Sequence, residues 1–315
     1  MTRAALLRVA ASASLRGASL QTFALRRPSP GRPGLGLPFL GGSLESEHWL
    51  AEGPVSRGRY GEVAWRRAEG VVFLAFEGDD SHDLAALTET GYRQILETAA
   101  RHGCPHLLRA WNYMPRINEG CGDDERYRRF CEGRSRAMEA AGIAEETLCA
   151  GTAIGGEDPA LRIYALAGAE AGIPIENPRQ LSAYRYPRRY GPRSPSFARA
   201  TALPQPDGEV LLLVSGTASI VGHRTAHPGR LDAQLHELTL NLSTLVGHAA
   251  RRLGRPAVES FDEEMLLRAY VRHAADWPRV RDHLAGTWPG ARIAGLRGDV
   301  CRRELLVEIE AVVRI

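Results

Sequence analysis

EVAWRRAEGVVFLAFEGDDSHDLAALTETGYRQILETAAR, residues 62–101, is the stretch on which the fold turns. Glu62–Trp65 and Val71–Phe76 read as two strands joined by a short turn. Leu84, Leu87, Tyr92, Ile95, Leu96 and Ala99 then recur with a 3.6-residue period, which predicts a helix over Asp83–Arg101. Working outward, His106–Met114 reads as a strand carrying Trp111 and Tyr113. Asp123–Ala141 reads as a second helix with Asp123 or Asp124 at its N-cap, and Leu161–Ala167 as a further strand.

The second half follows the same plan. Strands fit Ser182–Tyr186, Phe197–Leu203 and Val210–Ser215, with Ala218–Val221 continuing as strand or turn. Leu235, Leu238, Leu242, Leu245, Ala249 and Leu253 mark a long amphipathic helix over Asp232–Arg252. Phe261–His273 and Asp276–Leu284 read as shorter helices, and Ala291–Leu296 and Leu305–Val313 as strands. Each half is thus strand–strand–helix–strand–helix–strand. That order predicts an α+β fold of two domains, each a mixed β-sheet with helices packed on one face, and points to a duplication. The expected division is a basic, partly disordered N-terminal arm over 1–44, a first domain over 45–175, and a second over 176–315 holding the main catalytic residues.

The 315 residues are 44% hydrophobic and 24% charged, as in soluble globular proteins. No run of 18 apolar residues predicts a membrane span, and a net charge of +3 does not by itself imply nucleic-acid binding. All 40 basic residues are Arg. Without lysine there is no Schiff-base chemistry with pyridoxal phosphate and no P-loop lysine. The five cysteines form no CxxC pair, which fits reduced thiols and a cytoplasmic protein. His223 and His227 lie four apart, but no matching Cys or His cluster makes them a metal site. Residues 1–44 hold six Arg and no acid. That composition is similar to an organelle transit peptide, but a basic arm from a GC-rich bacterial source explains it as well and is preferred.

The chemistry-bearing segments lie elsewhere. SAYRYPRRYGPRSPSFARA, residues 182–200, sets Arg185, Arg188, Arg189, Arg193 and Arg199 among Tyr184, Tyr186, Tyr190 and Phe197, with no acid. Its prolines forbid a long helix. A stiff loop of guanidinium forks and phenols suits a small, planar polyanion. In the last strand, period two puts Val307, Ile309, Ala311 and Val313 on one face and Glu308 with Glu310 on the other. That pair either faces solvent, bonds to Arg, or supplies a general acid whose pKa burial raises. Tyr127, Cys131, Arg134 and Met138 form one stripe of the second helix, where Arg134 either snorkels to water or meets a buried anion. In GTASIVGHRTAH, residues 216–227, small residues permit close backbone approach, but the glycine spacing is not that of a phosphate loop. Cys301 reads as a small core residue or a nucleophile, although no His adjoins it in sequence.

With NYMPRIN (residues 112–118) and ERYRRFCEGR (residues 125–134), these segments, in this order, resemble the chorismatases, chorismate-cleaving enzymes with two RidA-like (YjgF-like) halves. The resemblance spans Glu45 to Ile315. It implies chorismate, a dianion, as substrate. Tyr127 and Arg134 would bind one carboxylate, and Tyr184 or Tyr186 with Arg193 the other. Glu308, rather than Glu310, would protonate the enolpyruvyl methylene. Ala218 and Cys301 match the family's hydroxybenzoate-forming members, whereas hydrolytic members carry Gly and Ala there. The implied products are therefore 3-hydroxybenzoate and pyruvate by an arene-oxide route, with some 4-hydroxybenzoate in certain relatives. Cys301 would assist proton removal or exclude water. No metal, organic cofactor, nucleic acid or membrane is implied, and the sequence fits a monomer or a trimer alike. The competing readings are a hydrolytic chorismatase, a RidA-like imine deaminase, and a non-catalytic metabolite-binding protein.

Overall fold

The computed structural model describes residues 7–11, 17–27, 34–80, 83–256, 258 and 265–315. The first half contains β1 (Leu7–Ala10), β2 (Ala18–Ala24), β3 (Phe39–Gly42), β4 (Ser46–Ala51), β5 (Ser56–Tyr60), β6 (Val63–Ala68), β7 (Val71–Asp79), α1 (Leu84–Arg101), β8 (His106–Pro115), α2 (Arg126–Ala140), β9 (Ala150–Gly156) and β10 (Ala160–Gly168). Its sheet runs β5-β6-β7-β10-β8-β9, antiparallel except for the β8–β9 pair. Asp83 caps α1 by accepting hydrogen bonds from the Ala85 and Ala86 amides. The helix buries Leu84, Tyr92, Ile95 and Ala99, as its periodicity predicts. α2 lies against it closely enough that a Cβ on Gly133 would come within 2.1 Å of the Ala85 carbonyl oxygen.

The second half contains β11 (Ile173–Ile175), β12 (Ala200–Pro204), β13 (Val210–Ala218), β14 (Ile220–Val221), β15 (Arg224–Thr225), α3 (Leu231–Arg252), β16 (Leu266–Val271), α4 (Trp277–Thr287), β17 (Arg292–Arg297) and β18 (Val307–Arg314). Its sheet runs β11-β12-β13-β18-β16-β17-β3. From β6 and from β12, leaving aside the small β14–β15 hairpin, both halves follow the order ββαβαββ. The neighbours β7-β10-β8-β9 and β13-β18-β16-β17 correspond one to one, each ending in a parallel pair. The α+β architecture with helices on one face of each sheet is as expected.

The helix-free faces of the two sheets meet. Trp111, Tyr113 and Tyr164 from one side, and Leu213, Leu266, Tyr270 and Val312 from the other, form a shared core. Within it, Arg268 pairs with Glu47 at 2.6 Å and with Glu310 at 3.0 Å, and Arg109 pairs with Glu310 at 2.8 Å. Charges so deeply buried are tolerable only because they are paired and hydrogen-bonded. At one edge β9 crosses to the second half. Ala150 bridges Ala198 in parallel, and the Gly151 amide donates to Ser215 Oγ at 2.8 Å. No described helix is long and apolar enough to cross a membrane.

Several sequence expectations need correction. Folded structure does not wait for Glu45. Leu20, Phe23, Leu25, Leu35 and Leu44 are buried in the shared core, β1 and β2 pair with β4, and β3 extends the second half's sheet. Apolar residues scattered among Ser, Arg and Pro hid this. Ser182–Tyr186 is not a strand: the proline-rich chain makes short 3₁₀ turns at Ala183–Arg185 and Arg188–Tyr190. Phe261–His273 is not a helix in its described part. Leu266–Val271 pairs with β17 and β18, and tertiary pairing overrides local preference, while residues 261–264 lie outside the described residues. α2 begins at Arg126 without a side-chain cap, and Asp123 instead accepts a bidentate contact from Arg188. β9, AGTAIGG, gave no strand signal because its small residues show no alternation.

Candidate active site

The seam between the halves opens into a cleft of about 940 Å³, counting solvent at its mouth. One wall is the face of α2 that carries Tyr127, Phe130, Cys131 and Arg134. The floor is Gly151 and Thr152 of β9, Gly216 and Ala218 of β13, and Glu308 of β18. The turn at Cys301–Arg302 closes one end, and Tyr186, Tyr190, Phe197 and Arg199 of the proline-rich loop lie across the top.

Strand register places Glu308. It sits opposite Ala218 on β13 and Tyr270 on β16, two residues from Glu310 on the same face. The two carboxylates have different surroundings. Glu310 is ion-paired twice, whereas among the described residues no ion pair reaches Glu308, which is 5% exposed. Burial, then the charge of Glu310, push its pKa up to about 8 against the weaker pull of Arg109 and Arg199. At neutral pH Glu308 is therefore mostly a carboxylic acid. A Cβ on Gly216 would sit 2.0 Å from Glu308 Oε1, so this glycine makes room for the carboxyl group. Burial and the neighbouring Glu308 raise the Cys301 thiol to about 12, which leaves it protonated. Burial also holds the Tyr127 phenol well above its ordinary range.

Three guanidinium groups line the cleft with this acid. Arg134 does not snorkel. It is 3% exposed, stacked 5.0 Å from the Tyr92 ring centroid, and its Nε and Nη2 have no hydrogen-bond acceptor among the described residues. Arg199 donates from Nη2 to Tyr186 Oη and to the Leu181 carbonyl oxygen, both at 2.8 Å, but its buried Nε has no acceptor among the described residues. Arg302 lies 4.3 Å from the Tyr190 ring centroid and donates to the His223 carbonyl oxygen. A buried donor without a partner costs about 1–3 kcal/mol, and an anionic ligand with several oxygens would satisfy these. A proton donor among cations can both hold a small dianion and protonate it.

Of the residues expected at the site, Glu308, Cys301, Tyr127, Arg134, Tyr186 and Ala218 line the cleft together. Tyr184 and Arg193 do not. Tyr184 packs against the helical core of the first half, and Arg193 turns outward to donate to Glu139 Oε1 at 2.7 Å. Arg199 takes the position beside Tyr186 that Arg193 was expected to fill. Burial distinguishes it: Arg185, Arg188, Arg189 and Arg193 are exposed, whereas Arg199 is not. Thr152, Gly216, Tyr190 and Arg302 also line the cleft without having been foreseen in that role. His223 meets Arg189 and Tyr190, and His227 meets Glu237, so the two histidines do not converge. Among the described residues no group of three or more His, Cys, Asp or Glu is arranged to hold a metal ion.

Residues 47–167 match the family model described as chorismatase FkbO/Hyg5-like, N-terminal. Over 278 residues the chain is 40% identical to a chorismatase of Streptomyces rapamycinicus, covering 85% of this chain and 82% of the relative. It is 35% identical over 276 residues to a 3-hydroxybenzoate synthase of Streptomyces hygroscopicus, covering 85% and 81%. A chorismatase crystal structure superposes with a TM-score of 0.84 at 33% identity over 99% of both chains. The fold, the acid among arginines and the extent of this similarity agree, and the chain belongs to the chorismatase family.

Proposed function

We propose that the cleft converts chorismate to 3-hydroxybenzoate and pyruvate, with Glu308 as general acid. The observation that carries this is Glu308 itself: a buried, unpaired and protonated carboxyl facing a cleft that contains unsatisfied arginine donors. Arg134 with Tyr127 takes one carboxylate of the substrate, and Arg199 with Tyr186 takes the other. Glu308 delivers its proton to the enolpyruvyl methylene, giving an oxocarbenium ion. The 4-hydroxyl oxygen then bonds to C3 as the C3–O bond breaks. Pyruvate leaves with the ether oxygen, and the 4-hydroxyl proton restores Glu308. The resulting arene oxide opens and loses its ring hydrogen to give the phenol. Substrate and products balance without water, oxidant or cofactor.

The choice of intramolecular over hydrolytic cleavage is assigned to the wall beside Glu308. Ala218, Ile220, Val300 and Leu305 form a small apolar cluster against which Cys301 packs. With its thiol protonated, Cys301 acts by filling space and keeping water from the cation rather than as a base. The relative named for the 3-hydroxybenzoate product favours the same direction.

The test is incubation of the purified protein with chorismate, followed by liquid chromatography and a parallel pyruvate assay. Equimolar pyruvate and 3-hydroxybenzoate is the expected result. Pyruvate with a non-aromatic diol would reassign the chain to the hydrolytic type, and absence of pyruvate would overturn the proposal.

A further inference from the structure

Glu308 lies beside a buried ionic cluster that the chemistry above does not use. Glu310 accepts from Arg109 Nη2 at 2.8 Å and from Trp111 Nε1 at 3.1 Å, and pairs with Arg268 Nη1 at 3.0 Å. Arg268 also grips Glu47 through Nε and Nη2, at 3.0 and 2.6 Å. Arg109 Nη2 donates as well to Thr152 Oγ1 at 2.6 Å, and that same oxygen accepts from the Gly216 amide at 3.0 Å. The cluster thereby reaches the cleft floor that Thr152 and Gly216 share with Glu308. Its two arginines and two glutamates sum to zero charge. Arg109 is 2% exposed, yet its Nη1 has no acceptor among the described residues. A carboxylate at position 308 would be the natural anion for it.

We infer that Glu310 is a positioning residue: by holding Arg109 against Thr152 and Arg268 against Glu47, it keeps the Arg109 guanidinium from pairing with Glu308 and so preserves Glu308 as a proton donor. This rests on Glu308 being the acid. The charged and titratable groups facing Glu308 are Glu310 on its own strand, Arg109 on β8, Arg199 before β12, Tyr127 on α2, Cys301 on the turn and, opposite in register, Tyr270 on β16. Those facing Glu310 are Arg109, Arg268, Glu47, Tyr113 and Tyr270. Arg109 pulls Glu308 toward ionisation while Glu310 opposes it, the two directions the geometry requires. Without the Glu310 charge, Arg109 loses its anion and Glu308 is the nearest replacement.

The experiment uses the full chain and two readouts across pH: kcat/KM with chorismate, and the infrared carbonyl band of a protonated carboxyl, assigned by its loss in Glu308→Gln. Glu310→Gln keeps an acceptor for Trp111 and removes the charge. Its alkaline activity limb and its band midpoint should both fall by about one pH unit or more. In Arg109→Met/Glu310→Gln, which also removes the guanidinium, the midpoint should recover above that of Glu310→Gln, and a double variant as low as Glu310→Gln overturns the role given to Arg109. If Glu310→Gln fails to fold, Glu310→Asp decides, since the shorter side chain keeps the charge and loosens the hold on Arg109: a lowered midpoint supports the inference, and an unmoved one overturns it. An unmoved midpoint in Glu310→Gln also overturns it while leaving Glu308 as the acid. A wild-type protein with no band assignable to Glu308 overturns both.

Discussion

Gly216→Ala tests whether catalysis depends on where the Glu308 carboxyl is held. The backbone at Gly216 is not in the left-handed region, so alanine meets no conformational penalty there, and loss of unfolded-state freedom favours it by about 0.4–1 kcal/mol. The new Cβ would, however, lie 2.0 Å from Glu308 Oε1 and 2.7 Å from Cδ, where anything under 3.0 Å forces a shift. The carboxyl group must therefore retreat by about 1 Å, and packed strands on both sides leave the cleft as its outlet. Misplacement of a reacting group by 1 Å costs about 10²-fold in rate, which is about 2.7 kcal/mol in the barrier. The assay is pyruvate release at saturating chorismate, with Tm measured alongside. The expected outcome is a loss of about 10²-fold in kcat, little change in KM because Arg134 and Arg199 are untouched, and a Tm close to wild type. Wild-type kcat with an unchanged Tm would refute the claim that this glycine positions the acid.

Other outcomes follow from the same geometry. Activity needs protonated Glu308, so kcat/KM should fall as pH rises through about 8, and Glu308→Gln should lose about 10²–10⁴-fold in kcat while still binding chorismate in calorimetry. Between the ordinary glutamate range and about 8 the folded protein keeps a proton that the unfolded chain releases, so this group's contribution to stability is lost as pH rises. The drop in Tm from mildly acidic to mildly alkaline buffer should accordingly be smaller in Glu308→Gln. Arg199→Met should raise KM by roughly 10–100-fold through lost charge-assisted hydrogen bonds, whereas Arg193→Ala, which removes only a half-exposed pair with Glu139, should leave KM unchanged. Cys301→Ala should divert product toward the non-aromatic diol by admitting water. Cys301→Ser, close in volume, should retain 3-hydroxybenzoate.

Elements with strong local patterning were legible in the chain. α1 and α3 were found by 3.6-residue periodicity, and β7, β10, β13 and β18 by apolar runs or alternation. The alternation of β18 also placed Glu308 and Glu310 on one face, and helical spacing put Arg134 on the stripe that faces inward. β9 escaped because small residues carry no period, and β16 was taken for helix because its pairing with β17 and β18 is nonlocal. The N-terminal strands escaped because their apolar residues find partners only between two sheets built from sequence far downstream.

For the site, the amino-acid sequence by itself determined which residue types were available: carboxylates two apart on a strand, arginines without competing acids, and no lysine. It could not rank the five arginines of the proline-rich loop, since their local contexts are alike. Only the tertiary structure turned Arg199 inward and Arg193 out to Glu139. Nor could it separate the two glutamates on physical grounds. That difference arises because Arg109 and Arg268, from β8 and β16, reach Glu310 and stop short of Glu308. A charge's environment is set by what packs around it, and packing is settled between segments far apart in the chain.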